Sequence, residues 1–184
     1  VTDETNPITV REEKALVEDN GVWKASYENL PYYKQDGITE IKYAVKEVEE
    51  NSLVGYAVAY AQVQAEGNNL KLGITNTVKT IPITIAKVWV GVEANLAPQI
   101  TLNLTSTDTS INLIDKSVVL NNTNGFTQTI VNMPKYNIDG VTLAQYNVSE
   151  ATNLSGYTFS TNPGLNGVTN TSLNITATNT RVLR

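Results

Sequence analysis

The sequence predicts an all-β fold built from two tandem β-sandwiches, and three observations lead to it. The 184-residue chain repeats itself with an offset of 103 residues. Each copy consists of short alternating segments separated by turn signals rich in glycine, asparagine, aspartate and proline. Helix-type heptads are absent, and a unit of about a hundred residues is a typical size for a sandwich of short strands.

The internal repeat is the strongest organisational signal in the chain. Residues 8–31 align with residues 111–134 without a gap, and the register recovers near the end, where residues 70–77 align with residues 173–180. We therefore predict a domain boundary near Thr80, with one domain at 1–80 and a second at 81–184. Matching motifs include Asp36-Gly37 with Asp139-Gly140, and Gly55-Tyr56 with Gly156-Tyr157.

The first unit is expected to lack its first strand. Residues 81 to about 104 of the second unit have no counterpart in the first, so the equivalent of Lys87 would precede Val1. A sandwich without that strand exposes a sheet edge. We expect residues 1–80 either to be completed by a strand from outside this numbering, from upstream sequence or a neighbouring chain, or to leave an open groove where that strand belongs.

Composition excludes several classes of function. The net charge of −5 argues against nucleic acid as a partner. The chain contains neither histidine nor cysteine, which removes the usual general base, thiolate chemistry and the common zinc ligands. We therefore expect no metal site and no cofactor. No apolar run approaches the length of a membrane span, and no signal peptide is recognisable, so no membrane contact is expected.

The segment Ile83–Val90 predicts a strand that carries a lysine toward the core. Alternate side chains of a strand share a face, so Lys87 lies in register with Ile83, Ile85 and Trp89. A lone buried ammonium costs several kcal/mol unless it is paired or neutral. The alternative is a lysine whose stem is buried while its ammonium reaches water.

An acid and an amide follow the same alternation on two further strands. Glu150 shares a face with Tyr146 and Val148, and Asn179 shares a face with Ile175. A buried lysine, acid and amide in one small domain are explained together if the three side chains meet. The first unit repeats the acid as Glu47 and the amide as Asn76.

These segments resemble the CnaB-type (collagen-adhesin B-repeat) domains of Gram-positive surface adhesins and pilins. The resemblance covers the whole second unit and about three quarters of the first. It implies a prealbumin-like, reverse-immunoglobulin sandwich. The motifs that carry it are Lys87-Val88-Trp89, Asn132-Met133-Pro134-Lys135-Tyr136, Asp139-Gly140, Tyr146-x-Val148-x-Glu150, Gly156-Tyr157 and Thr178-Asn179-Thr180.

Many members of that family form a spontaneous Lys–Asn isopeptide bond assisted by an acid. The resemblance implies that Lys87 is the nucleophile, Asn179 the acceptor and Glu150 the catalytic acid. Glu47 occupies the equivalent acid position in the first unit, and Asn76 is the candidate acceptor for an external lysine. The aspartate-rich stretch common after the first tryptophan is replaced here by residues 91–95.

The chemistry also follows from the residue types. An apolar core lowers the pKa of a lysine and raises that of a glutamate. A neutral Lys87 can then attack the side-chain carbonyl of Asn179, while protonated Glu150 polarises the amide and passes a proton to the departing ammonia. The alternative is a buried Lys–Glu ion pair with Asn179 hydrogen-bonding nearby.

The function expected from the sequence is that of a structural stalk or fibre module of a bacterial cell-surface adhesin or pilus, extracellular and anchored in the cell wall or pilus. Its partners would be neighbouring repeats or a strand from a neighbouring subunit. The alternative is an adhesin head that recognises a host matrix protein or glycan. A glycosidase needs two carboxylates facing one cleft, and each unit offers a single inward acid.

Overall fold

A computed structural model of the chain describes residues 2–3, 6–10, 12–48, 54–113, 116–162, 166–167 and 171–183. The molecule divides into two compact units. Unit 1 comprises Val1–Asn51 with Val58–Asn76, and unit 2 comprises Ser52–Ala57 with Thr77–Arg184. The described residues form strands, turns and two short 3-10 helices at Ala94–Leu96 and Asn122–Asn124. The predicted all-β class is confirmed.

The first part of the chain contains short strands. One sheet has the order β2-β1-β5, and three two-stranded sheets pair β3 with β4, β6 with β9, and β7 with β8. The bounds are β1 Thr2–Asp3, β2 Asn6–Val10, β3 Val17–Asp19, β4 Val22–Lys24, β5 Tyr43–Ala44, β6 Tyr56–Tyr60, β7 Gln64–Glu66, β8 Asn69–Lys71 and β9 Ile74–Val78.

Unit 2 is a sandwich of two four-stranded sheets, with the orders β13-β10-β17-β15 and β12-β11-β14-β16. The strands β10 and β17 run parallel, although they come from opposite ends of the unit. The bounds are β10 Thr80–Val90, β11 Ile100–Ser106, β12 Ser117–Leu120, β13 Thr127–Pro134, β14 Gln145–Glu150, β15 Tyr157–Asn162, β16 Asn166–Gly167 and β17 Leu173–Arg181.

The core of unit 2 lies between its two sheets. Alternate residues of β10 and β17 point inward, and so do those of β11, β12 and β14, as expected for strands with one buried face. Large β-branched and aliphatic side chains fill the space. The buried residues include Ile83, Ile85, Leu102, Leu120, Met133, Tyr146, Val148, Leu173 and Ile175.

The internal repeat extends to individual hydrogen bonds. Asp36 accepts from the backbone amides of residues 38 and 39, and Asp139 accepts from those of residues 141 and 142. The buried Tyr43 donates to the carbonyl of Pro31 at 2.6 Å, and its equivalent Tyr146 donates to the carbonyl of Pro134 at 2.7 Å. The same turn chemistry therefore folds both units locally.

The two units differ where β10 lies in unit 2. There β17 is flanked by β10 and β15, whereas β9, its equivalent, pairs with β6 alone among the described strands. Side chains that pack against the core in unit 2 are exposed at the equivalent positions of unit 1. Val17, equivalent to buried Leu120, is 68% exposed. Trp23, equivalent to Phe126, is 65% exposed.

Candidate functional site

The site is built on the paired strands β10 and β17. Parallel register places Lys87 beside Ala177 and Trp89 beside Asn179. Adjacent residues on paired strands project from the same face. Lys87 and Asn179 are the buried polar or charged side chains among the described residues, with exposed fractions of 6% and 0%.

The amine of Lys87 is held by backbone carbonyls and by an aromatic ring. Its Nζ donates to the carbonyl oxygens of Val88 at 3.0 Å and Ala177 at 3.3 Å. It also lies 4.4 Å from the centroid of the Trp89 ring. Trp89 is in turn packed edge-on against Phe126 and Tyr157. The amine is therefore fixed on the core side of β10, away from bulk water.

Asn179 contacts the acid from the opposite sheet. Its Nδ2 donates to Oε1 of Glu150 at 2.7 Å. Glu150 is the last residue of β14, where it pairs with Leu102 of β11. The contact thus joins the two sheets across the core. Among the described residues, Oδ1 of Asn179 and Nε1 of Trp89 are buried without a hydrogen-bond partner.

Burial sets the protonation of the lysine. Desolvation lowers the pKa of Lys87 to about 8, while the charge of Glu150 opposes that shift. The neutral amine is therefore a substantial species near physiological pH, as a nucleophile requires. An exposed lysine, with a pKa near 10.4, would be almost wholly protonated under the same conditions.

Unit 1 contains the acid and the amide in the same geometry. Nδ2 of Asn76 donates to Oε1 of Glu47 at 3.0 Å, and the two positions are equivalent to Asn179 and Glu150. Oε2 of Glu47 is buried without a hydrogen-bond partner among the described residues. The pair therefore forms although β6 is the one described strand that pairs with β9.

The sequence-predicted residues of unit 2 converge in the structure. Lys87 lies on the buried face with Ile83 and Ile85, and Glu150 contacts Asn179 as the alternation predicts. Sequence reasoning missed the ring of Trp89 beneath the amine, although its position two residues after Lys87 on the same face was the available signal. It also missed the carbonyls of Val88 and Ala177 that accept from the Lys87 amine, because every residue has a backbone carbonyl and the sequence does not show which one is an acceptor.

The arrangement brings together the groups that an acyl transfer within the protein would need. It contains an amine of lowered pKa, a side-chain amide with no exposed surface, and a carboxyl group on that amide. No group of three or more potential metal ligands occurs among the described residues. In the same part of the chain, no helix is long and apolar enough to cross a membrane.

A family model describes both units of the chain. The Cna protein B-type domain matches residues 2–77 and again residues 83–178. The chain therefore belongs to the Cna B-type domain family, whose members are structural domains rather than enzymes. The family named from the motifs in the sequence is confirmed. No curated protein sequence matches the chain.

Several solved structures resemble the chain at low identity. A single B repeat unit (B1) of the collagen-binding surface protein Cna of Staphylococcus aureus is 22% identical, with a TM-score of 0.45 over 85% of this chain and 73% of that one. Two B repeat units (B1B2) of the same protein are 23% identical, with a TM-score of 0.44 over 88% of this chain and 38% of that one.

A third similar structure is the pilus adhesin SpaC from Lactobacillus rhamnosus GG. It is 16% identical and has a TM-score of 0.41 over 58% of this chain and 13% of that one. This chain therefore spans only a small part of the length of that adhesin.

Proposed function

We propose that the chain is a stalk module of an extracellular adhesin or pilus of a Gram-positive bacterium, stabilised by an isopeptide bond between Lys87 and Asn179. The observation that carries this proposal is the contact between Glu150 and Asn179 beside a buried amine of lowered pKa. Membership of the Cna B-type family supports the surface location. In this proposal residues 81–184 form the crosslinked domain.

The reaction needs only the three side chains. The neutral amine of Lys87 attacks Cγ of Asn179, while the carboxyl group of Glu150, hydrogen-bonded to the side-chain amide, accepts the proton that the attacking nitrogen loses. A new Nζ–Cγ bond forms and the Cγ–Nδ2 bond breaks. Glu150 relays a proton from the attacking nitrogen to the leaving one, so one ammonia departs and the carboxyl group is regenerated.

Folding supplies most of the catalysis, because it converts a bimolecular encounter into a fixed contact. The protein acts once on itself, so the reaction is autocatalytic and does not turn over. A buried Lys–Glu ion pair is the competing arrangement. The contacts favour the reactive one, since Glu150 is hydrogen-bonded to Asn179 while the amine donates to carbonyl oxygens.

The test is the intact mass of the folded protein. We expect the chain to be lighter than its sequence by one ammonia, and a digest to contain a peptide crosslinked between Lys87 and Asn179. Glu150→Ala should restore the full mass while the protein remains folded. Full mass in folded wild-type protein would overturn the proposal, and a deficit that persists in Lys87→Ala would assign the lost ammonia to another site.

We further propose that Asn76 accepts a lysine from a strand that adds to the free side of β9. Three features support this: the Asn76–Glu47 contact, the pairing of β9 with β6 alone among the described strands, and the exposure of apolar side chains whose equivalents are buried in unit 2. The strand would resemble β10, with a lysine in register with its apolar residues.

A synthetic peptide with the sequence of residues 80–90 tests this acceptor. Mixed with the whole protein, it should form an adduct that survives boiling in detergent and that is lost with Asn76→Ala. A peptide with arginine in place of its lysine is the matched control, because it keeps the charge and strand propensity. An adduct that survives Asn76→Ala, or no adduct at all, would contradict the proposal.

A further inference from the structure

A backbone-to-backbone contact in unit 2 joins two segments, and each has an equivalent elsewhere in the chain on which no described residue docks in the same way. The segment Ser52–Ala57 belongs to unit 2, although it precedes the rest of that unit in sequence. Gly55 in this segment donates its amide to the carbonyl of Gly140 at 2.6 Å. A Cβ added at Gly55 would lie 2.8 Å from that oxygen and 2.9 Å from the Cα of Gly140. The contact therefore requires glycine at position 55.

Three further hydrogen bonds fix the segment against the turn that contains Gly140. The hydroxyl group of Tyr56 donates to the carbonyl of Ile138 at 3.2 Å. The amide of Lys135 donates to the carbonyl of Lys79 at 2.9 Å, and the amide of Lys79 donates to the carbonyl of Gly55 at 2.8 Å. In this arrangement both Gly55 and Gly140 are buried.

Unit 1 contains the same turn, and no described segment is docked on it. The turn of residues 32–39 is equivalent to residues 135–142 and repeats its aspartate bonds and its backbone bonds. Gly37 is equivalent to Gly140 but is exposed, and no described heavy atom lies within 4 Å of the position of a Cβ there. Tyr32 and Tyr33 are exposed too, whereas the equivalent Lys135 and Tyr136 are partly buried.

Unit 2 also contains a second copy of the docking segment, and no described residue docks against it in this way. Gly156-Tyr157 is equivalent to Gly55-Tyr56. The amide of Val182 donates to the carbonyl of Gly156 at 2.9 Å, as that of Lys79 does to Gly55. Gly156 is exposed, and no described heavy atom lies within 4 Å of the position of a Cβ on it.

We propose that the turn of residues 32–39 is a docking site for a second copy of this chain, which enters through its Gly156-Tyr157 segment. By equivalence with unit 2, Gly156 donates its amide to the carbonyl of Gly37, and the hydroxyl group of Tyr157 donates to the carbonyl of Gln35. The proposal deepens the stalk function proposed above by naming the surfaces through which repeats stack.

The two surfaces are different patches of one molecule, so the contact is heterologous. Such a contact leaves one free turn and one free segment after every addition, and it builds open filaments rather than closed dimers. A single contact of a few hydrogen bonds is weak between free molecules. Covalent linkage of repeats raises the effective concentration into the millimolar range, where a weak contact is occupied.

Docking requires one local backbone change. Gly156 has a φ of +85°, whereas Gly55 lies outside the left-handed region. Glycine adopts both conformations at little steric cost, so this rotation adds only a small penalty. A larger residue at position 156 would add a side chain at the point where the two backbones meet.

The test is an NMR titration of the whole isotope-labelled protein at concentrations up to about 2 mM. We expect concentration-dependent shifts at residues 32–39 and at Gly156, Tyr157 and Val182. Gly37→Asn should raise the dissociation constant at least about tenfold, because its side chain covers the docking surface. Asparagine tolerates the left-handed backbone that this position has, so the turn should still fold.

The matched control is Gly67→Asn, since Gly67 is also left-handed with open space around it. It should titrate like the wild type. Tyr157→Phe, which keeps the ring but removes the hydroxyl donor, should weaken association about threefold to tenfold. Shifts confined to another surface, their absence at Gly37, or equal behaviour of the two asparagine variants would overturn the proposal. The intact mass of the same samples reports separately on the isopeptide bond.

Discussion

The two units share their turns, their acid–amide contact and their buried tyrosine, and they differ chiefly at one strand. In unit 2, β10 lies against β17 and its inward side chains cover the core. At the equivalent edge of unit 1 the apolar residues are exposed: Leu70 is 48% exposed, whereas its equivalent Leu173 is buried. Local turn chemistry is therefore alike in both units, while in unit 2 the core is covered by β10.

The largest expected difference between the units concerns their asparagines. Asn179→Ala should prevent the crosslink, which closes a loop of about ninety residues. A disulfide across such a loop is worth about 4 kcal/mol, and we expect a similar loss in the free energy of unfolding. Asn76→Ala removes the partly solvated contact with Glu47 and should cost no more than about 1 kcal/mol. Calorimetry on both variants measures the difference, and equal losses would contradict it.

A smaller effect is expected at Gly55. Gly55→Ala places a Cβ against backbone atoms of Gly140, which cannot move aside as a side chain can, so unit 2 should lose about 1–3 kcal/mol. Gly73→Ala is the control, because its Cβ would meet only the side chain of Ala61 at 3.3 Å. Urea unfolding followed by tryptophan fluorescence gives both values. A Gly55→Ala variant as stable as the control would show that the contact tolerates displacement.

The buried tyrosines of the two units make the same hydrogen bond, so the stability that this bond contributes can be compared between the units. Tyr146→Phe and Tyr43→Phe each remove a hydrogen bond to a proline carbonyl, and each should cost about 1 kcal/mol in its own unit. Hydrogen exchange resolves the two losses by residue. Loss of protection in both units from a single substitution would mean that the units unfold together.

The smallest effect at neutral pH is a pH dependence of the free energy of unfolding, which grows above pH 8. In Asn179→Ala the amine of Lys87 stays free, with a pKa of about 8 when folded and about 10.4 when unfolded. Well below pH 8 both states hold the proton. Between pH 8 and about 10.4 the unfolded state binds more protons, so the free energy of unfolding rises with pH. The rise should vanish in the double variant with Lys87→Met.

Much of this architecture can be predicted from the sequence because the repeat and the strand alternation are local signals. The inward register of Lys87 and Glu150 follows from the apolar neighbours two residues away. The break between β8 and β9 at Leu72 and Gly73 cannot be predicted in this way, because Leu70 and Ile74 continue the apolar alternation across it. The membership of Ser52–Ala57 in unit 2 is also invisible in the sequence, because it depends on a tertiary contact between two glycines.

The parallel pairing of β10 with β17 has a mechanical consequence. Tension that enters at the start of β10 and leaves at the end of β17 pulls the two strands past each other in shear. All eight residue pairs from Ile83 with Leu173 to Val90 with Thr180 then bear the load together. A hairpin such as β7–β8, pulled at its open end, gives way one pair at a time. The order of strands in unit 2 thus favours resistance to tension applied between the start of β10 and the end of β17.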